Sequence, residues 1–291
     1  MLFYDMGGTL LDTQWVTLPA GARRDFPAHA FGRNQVGVIE WLPDDLTLPF
    51  RLRNVRYYYA VPDFSADIFM SAAQFDGQKA TGSTVSVPLD GNGSSAIVEI
   101  SNVSDRQNVV IAQVYRNNGQ LAQNFYLDLA PHSSYHLIAD SLLNGGGGMA
   151  VIQGSVVGGL VATGMHYGRD SGGHLLYMYG VQAQQALGAT LRGSYNTFLN
   201  QGCRLKLTNP TAAHHTVRIT MRRNDGTEVL GSGVTRAVPA KGLLDYDLCG
   251  NDVADVYGVV TVEPDLPNSV FGTIVRLGQN DQYRFPTSLR Q

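Results

Sequence analysis

The feature that most constrains this chain is a pattern that recurs every 107 or 108 residues. Asp5-Met6-Gly7-Gly8, Asn117-Asn118-Gly119 and Asn224-Asp225-Gly226 each separate two apolar-rich stretches, and a proline follows each, at Pro19, Pro131 and Pro239. One register holds at separate landmarks: Gly119 answers Gly226, Met70 answers Met178, and Asn102 answers Asn209. A fixed period of this kind dictates a repeated structural unit before any motif is considered.

The unit is built of strands. Asn or Asp followed by Gly is hairpin-turn chemistry. Alternation puts Val217, Ile219 and Met221 on one face with Arg218, Thr220 and Arg222 on the other, and sets Leu205 and Leu207 against Arg204, Lys206 and Thr208. The 33 glycines and 12 prolines punctuate runs rich in Val, Thr, Tyr and Phe. Half-buried antiparallel strands need a second sheet over their apolar face, so the expectation is an all-β chain of tandem antiparallel β-sandwich modules. Ala139 to Leu143 is the best helical stretch, and it is short.

The register sets boundaries near residues 82 and 188, giving an incomplete module at 1–81 and modules at 82–188 and 189–291. The first module's counterpart of Thr84 to Gln113, about three strands, would precede Met1. A sandwich without those strands exposes a sheet edge and part of its core. Upstream sequence, a strand from another chain, or re-packing of the first module on the second would fill the gap.

Bulk properties exclude several classes. Apolar residues at 44% and charged residues at 15% describe a lightly charged globular chain. A net charge of −3 and a pI near 6.1 give no electrostatic reason to expect a nucleic-acid partner. No apolar run is long enough for a membrane-spanning helix, and the N-terminus lacks the basic and apolar regions of a signal peptide.

Phe3 to Thr13 resembles the opening motif of haloacid-dehalogenase-type phosphatases, which implies Asp5 as nucleophile. The acid expected two residues later falls on Gly7, no helix follows, and the repeat aligns the segment with two ordinary hairpin turns. The phosphatase reading is therefore rejected. The histidines His132, His136, His214 and His215 read as loop or surface residues, because strand positions four apart lie about 13 Å apart and no further ligand completes a zinc site. Asp90-Gly91-Asn92-Gly93 reads as a turn rather than a calcium loop, and Asn102-Val103-Ser104 as a turn shared with Asn209-Pro210-Thr211 rather than a glycosylation site. No catalytic residue, cofactor site or metal site is assigned.

Two features remain. Cys203 and Cys249 both lie in the third module, with Ala96 and Ser141 at about the equivalent places in the second; cysteines that appear and vanish together are expected to form a bridge, which implies an oxidising compartment. Alternation along Arg51 to Tyr59 puts Arg51, Arg53, Tyr57 and Tyr59 on one face, where rings beside guanidiniums suit a sugar or an acidic partner.

In repeat length and turn pattern the chain resembles the tandem immunoglobulin-like and fibronectin-like β-sandwich arrays of bacterial surface or secreted proteins. That resemblance implies a non-enzymatic extracellular or cell-surface protein with a structural, adhesive or assembly role. Its expected partners are other chains joined by β-strand addition or self-assembly. The alternative expectation is a carbohydrate-binding accessory region of a larger secreted enzyme.

Overall fold

The computed structural model describes residues 1–27, 36–45, 47, 50–59, 69–91, 94–183, 189–278 and 284–290, with backbone alone at 58, 59, 69–71 and 94. The chain is all-β. In the first module lie β1 (Leu2–Asp5), β2 (Leu10–Thr13), β3 (Gly37–Glu40), β4 (Arg53–Tyr59) and β5 (Phe69–Asp76). The second holds β6 (Thr84–Asp90), β7 (Ser94–Asn102), β8 (Asn108–Arg116), β9 (Leu121–Leu129), β10 (Ser134–Ile138), β11 (Gly147–Gly154), β12 (Leu160–Arg169) and β13 (Leu175–Gln182). The third repeats them as β14 (Leu191–Asn196), β15 (Gly202–Thr208), β16 (His215–Arg223), β17 (Val234–Val238), β18 (Leu243–Asp247), β19 (Tyr257–Pro264), β20 (Phe271–Leu277) and β21 (Arg284–Ser288). Helical structure among the described residues is limited to 3-10 turns such as Asp140–Leu142 and Cys249–Asn251. The expected boundary at residue 188 falls at the end of 184–188, outside the described residues.

Each of the last two modules is a pair of antiparallel sheets in one order. Sheet β6-β11-β8-β9 faces β10-β7-β12-β13, and β14-β19-β16-β17 faces β18-β15-β20-β21. Alternation decides which side chains meet between them. Val85, Val87 and Leu89 of β6 pack with Val98 and Ile100 of β7 and Val110, Ala112 and Val114 of β8. Leu205, Leu207, Val217, Ile219 and Met221 occupy the matching core. Side chains of this size each contribute about 1.5 to 3 kcal/mol when fully buried.

The first module reproduces part of this plan. Its sheet β2-β1-β3 follows the order β9-β8-β11, and β4-β5 follows β12-β13. Counterparts of β6 and β7 do not occur among its described residues, and β1 has 4 residues where β8 has 9.

One expectation is corrected by packing. The face of β15 that carries Lys206 and Thr208, the polar side by alternation, is not solvated: Lys206 is 4% exposed and Thr208 is buried completely. The second module covers it. Alternation finds the two faces of a strand but cannot tell water from a neighbouring module.

Candidate functional site: the joints between modules

The same joint is built twice. The hairpin turn of each module closes with a glycine in the left-handed region, Gly8 at φ 89 and Gly119 at φ 85, whose N–H returns to the Asp5 and Arg116 carbonyls. Each turn sits on a reverse turn of the next module. That second turn runs Ala130 to Ser133 in one case and Pro239 to Gly242 in the other, with a left-handed third residue, His132 or Lys241. The Ser134 N–H donates to the Met6 carbonyl and the Leu243 N–H to the Asn117 carbonyl, both at 2.9 Å. A Cβ on Gly8 or on Gly119 would fall 2.1 Å from the Pro131 or Ala240 carbonyl oxygen. Glycine is therefore required twice, for its backbone angle and for the close approach. This equivalence moves one sequence landmark: Pro239 matches Ala130, not Pro131.

An aromatic side chain four residues before each glycine receives the left-handed residue of the next module. Tyr4 stacks on His132 with ring centres 4.2 Å apart, and Lys241 Nζ lies 6.0 Å from the centre of the Tyr115 ring. The His132 ring is also held by Glu40 at 2.8 Å and Asp105 at 3.0 Å. His132 lies in a turn, as expected of a loop histidine, though its ring packs at the joint; His215, 6% exposed at the start of β16, is a buried residue and not the loop or surface histidine expected from sequence. Their burial comes from long-range contacts that local pattern does not report.

The last strand of each module also laps onto the next one. A bulge at Tyr58/Tyr59 and again at Gly168/Arg169 fixes the correspondence of the two hairpins, so Val55, Arg56 and Tyr57 match Met165, His166 and Tyr167. Ala73 and Phe75 of β5 pack on Met165 and Met178. Tyr177, Tyr179 and Val181 of β13 pack on Val275 and Leu277. Gly180 admits the Phe75 ring, which would lie 2.2 Å from a Cβ there. Beside these apolar contacts each joint buries charge at one shared position, Glu99 in β7 and Lys206 in β15. Arg56 grips Glu99 with two bonds of 2.6 and 2.7 Å.

The second joint holds a larger polar cluster. Lys206 Nζ lies 3.2 Å from Asp90 and 3.1 Å from Asp245. Asp90 also accepts from Tyr179 at 2.8 Å and Arg284 at 3.0 Å. Burial opposes ionisation of Asp90, but Lys206, the Tyr179 hydroxyl and Arg284 hold its carboxyl well below the usual carboxylate range. His166, stacked on Tyr179, is pushed down to about 4 chiefly by burial and stays neutral. The space lined by Asp90, His166, Tyr179 and Lys206 is about 10 Å³, far below the several hundred Å³ of a small-molecule site. A neutral imidazole and a fully paired carboxylate in so small a space orient two modules; they have no room for a substrate.

Cys203 and Cys249 are joined in a disulfide across a sequence separation of 46. The Leu248 and Ala139 N–H groups bond the Cys203 and Ala96 carbonyls, so Cys249 matches Asp140 rather than Ser141. The Asp140 carboxylate accepts the Ala96 N–H, a polar clasp where the third module has its disulfide. Arg51 and Arg53 both turn to Asp76, at 3.0 and 3.5 Å. Tyr57 is 59% exposed, with Val55 beside it at 40%, and the Tyr59 side chain lies outside the described residues. Asp5 accepts the Thr9 N–H at 2.8 Å and closes its own hairpin. Asn102 is buried, its amide spent on the Arg106 and Ala130 carbonyls at 2.8 and 2.9 Å. Asn92 and Gly93 of the turn after β6 lie outside the described residues. Among the described residues no cluster of His, Cys, Asp and Glu has metal-binding geometry, and no helix is long and apolar enough to cross a membrane.

No protein-family model and no curated protein matches the chain. Among solved structures it is similar to a β-glucuronidase from glycoside hydrolase family 2, at 13% identity over 71% of this chain and 24% of that one, with a TM-score of 0.15. An FMN-binding β-glucuronidase from Facaelibacterium prausnitzii is 13% identical over 81% and 37%, with a TM-score of 0.19. A glycosyl hydrolase family 2 member from Bacteroides cellulosilyticus is 11% identical over 72% and 28%, with a TM-score of 0.18. The chain thus spans roughly a quarter to a third of the length of these enzymes. Scores this low carry no argument about activity.

Proposed function

We propose that this chain is a stiff, non-enzymatic length of a structural array, in which docked joints hold successive sandwiches in one orientation. The observation that carries the proposal is the repetition of the joint, turn on turn and strand over sheet, with matched residues at both boundaries. Interdomain contacts that were incidental would not recur in register. An extracellular or cell-surface address is supported by the Cys203–Cys249 pair, since such bonds persist in oxidising compartments. Within this reading the sandwiches supply length, and adhesion or assembly falls to exposed edges and faces, as in immunoglobulin-like and fibronectin-like arrays. Strand addition by another chain at β3 or β4 is the assembly route that the first module's sheets suggest. Small-angle scattering of the dilute chain tests stiffness: a curve matching the docked stack is expected, and one that requires independently moving modules overturns the proposal.

A carbohydrate-binding accessory role is the second reading, favoured by the exposed Tyr57 ring beside Arg53 on β4. A glycan array decides it. Selective binding lost in Tyr57→Ala supports this role, and the absence of selective binding removes it.

A further inference from the structure

The two joints leave a third, unmade set of contacts whose halves lie at opposite ends of the chain. In the third module the turn Arg223 to Gly226 repeats the docking turns in detail. Gly226 has φ 87, and its N–H returns to the Arg223 carbonyl at 2.9 Å. Yet a Cβ on Gly226 would meet no atom of the described residues within 4 Å, where the same atom on Gly8 or Gly119 meets a carbonyl. At the other end, Pro19 to Ala22 repeats the receiving turn. The Ala22 N–H bonds the Pro19 carbonyl at 3.0 Å, and Gly21, at φ 74, stands in the left-handed place of His132 and Lys241, with no atom of the described residues within 4 Å of its Cβ position. The receiving sheet face is present too. Val55, 40% exposed on β4, occupies the position of Met165 and Val275, which are buried under the lapping strand of the preceding module.

We propose that a second copy of this chain occupies these surfaces: the Arg223–Gly226 turn of one copy docks on the Pro19–Ala22 turn and the Val55 face of β4 in the next. The proposal rests on the structural-array reading and extends it from joints within a chain to joints between chains. Its geometry is that of the two joints already described, carried one step further. Because the donor and acceptor surfaces differ, the contact is heterologous and propagates as an open filament rather than closing as a dimer. It is also weaker than the internal joints. The first module has no counterpart of β7 or β15 among its described residues, so no described residue answers Glu99 or Lys206. Arg222 and Gly21 stand where Tyr4 with His132, and Tyr115 with Lys241, make the ring contact.

Sedimentation velocity of the full chain, from about 10 μM to 1 mM, tests the proposal in a range suited to weak association. The sedimentation coefficient is expected to rise with concentration. Gly226→Asn keeps a left-handed turn residue, since Asn tolerates that backbone, but adds the Cβ that the joint cannot hold. Val55→Glu puts a charge into the receiving face. Each variant alone is expected to stay monomeric, and a mixture of the two to form one-to-one dimers and nothing larger, because each retains one working end. A wild-type chain that stays monomeric at 1 mM, or association unchanged by Gly226→Asn, overturns the proposal. If Val55→Glu fails to fold by circular dichroism, Gly226→Asn alone decides. A monomeric chain whose scattering still fits the docked stack would sink end-to-end assembly while leaving the structural-array reading intact.

Discussion

His166 and the Cys203–Cys249 pair turn burial into measurable chemistry. The unfolded chain takes up a proton on imidazole near the ordinary value of about 6.5, while the buried ring resists down to about 4. Between these values the unfolded state binds more protons, so stability falls as pH falls, by up to about 1.4 kcal/mol per pH unit. Asp90 acts in the same direction over a lower window: its carboxyl, held below the usual range when folded, contributes stability that is lost as the pH falls through and below the ordinary carboxylate range. Urea melts between pH 7 and about pH 4.5 are therefore expected to show a slope that His166→Gln flattens; equal slopes in both proteins would contradict the assignment. The disulfide is a separate test. Replacing Cys203 and Cys249 together by Ala is expected to cost about 3 to 4 kcal/mol, given the length of the closed loop, with the loss confined to the third module. Of these residues the sequence paired the cysteines through their joint absence from the second module. Asp140, their counterpart, was one position away from where simple spacing put it, because β10 and β18 run two residues further apart than β7 and β15. His166 carried no sequence signal, because its surroundings are assembled from residues distant along the chain, Asp90 and Tyr179 of its own module and Lys206 and Arg284 of the next.

At the scale of elements, the lapping strand and the buried pair do the joining. Arg56→Ala leaves Glu99 buried without its two-bond partner. The cost is expected at about 2 to 3 kcal/mol, at or below the lower limit for a broken buried pair, because Arg56 keeps about a third of its side chain in water. Gly180→Ala drives a methyl into the Phe75 ring and is expected to lift β5 from β13 without unfolding the second module's core. Amide exchange reads both: faster exchange in β4 and β5, with β7, β8 and β11 still protected, is the predicted pattern. Hairpins, their turns and the two apolar faces were legible because a strand's period and a turn's chemistry are local. What covers the outward faces was not. The one local trace was a lone glycine inside a strand, Gly180, a sign of close approach that does not name what approaches. Tyr57 and Arg53, read from sequence as a ligand surface, stand in register with positions that another module covers elsewhere in this chain.

For the molecule as a whole, the repeat carries more than the fold. Quasi-one-dimensional arrays derive stability from unit cores and from neighbour interfaces, and here the interfaces bury ions, aromatic rings and close-packed glycines. A repeat of about 108 residues was visible from the first, because it depends on order along the chain; matched positions in the structure stand from 107 apart, Asn102 and Asn209, to 110 apart, Met165 and Val275. The joint was invisible because it depends on which copy touches which. Stiffness across both joints is the central claim, and pulsed dipolar spectroscopy between spin labels at Leu11→Cys and Val253→Cys tests it directly. Both sites are exposed, in the first and third modules, and the native cysteines are already bonded to each other, so labelling is selective. One narrow distance peak, broadened by Arg56→Ala, is the predicted result; a broad distribution in the unaltered joints would contradict the account.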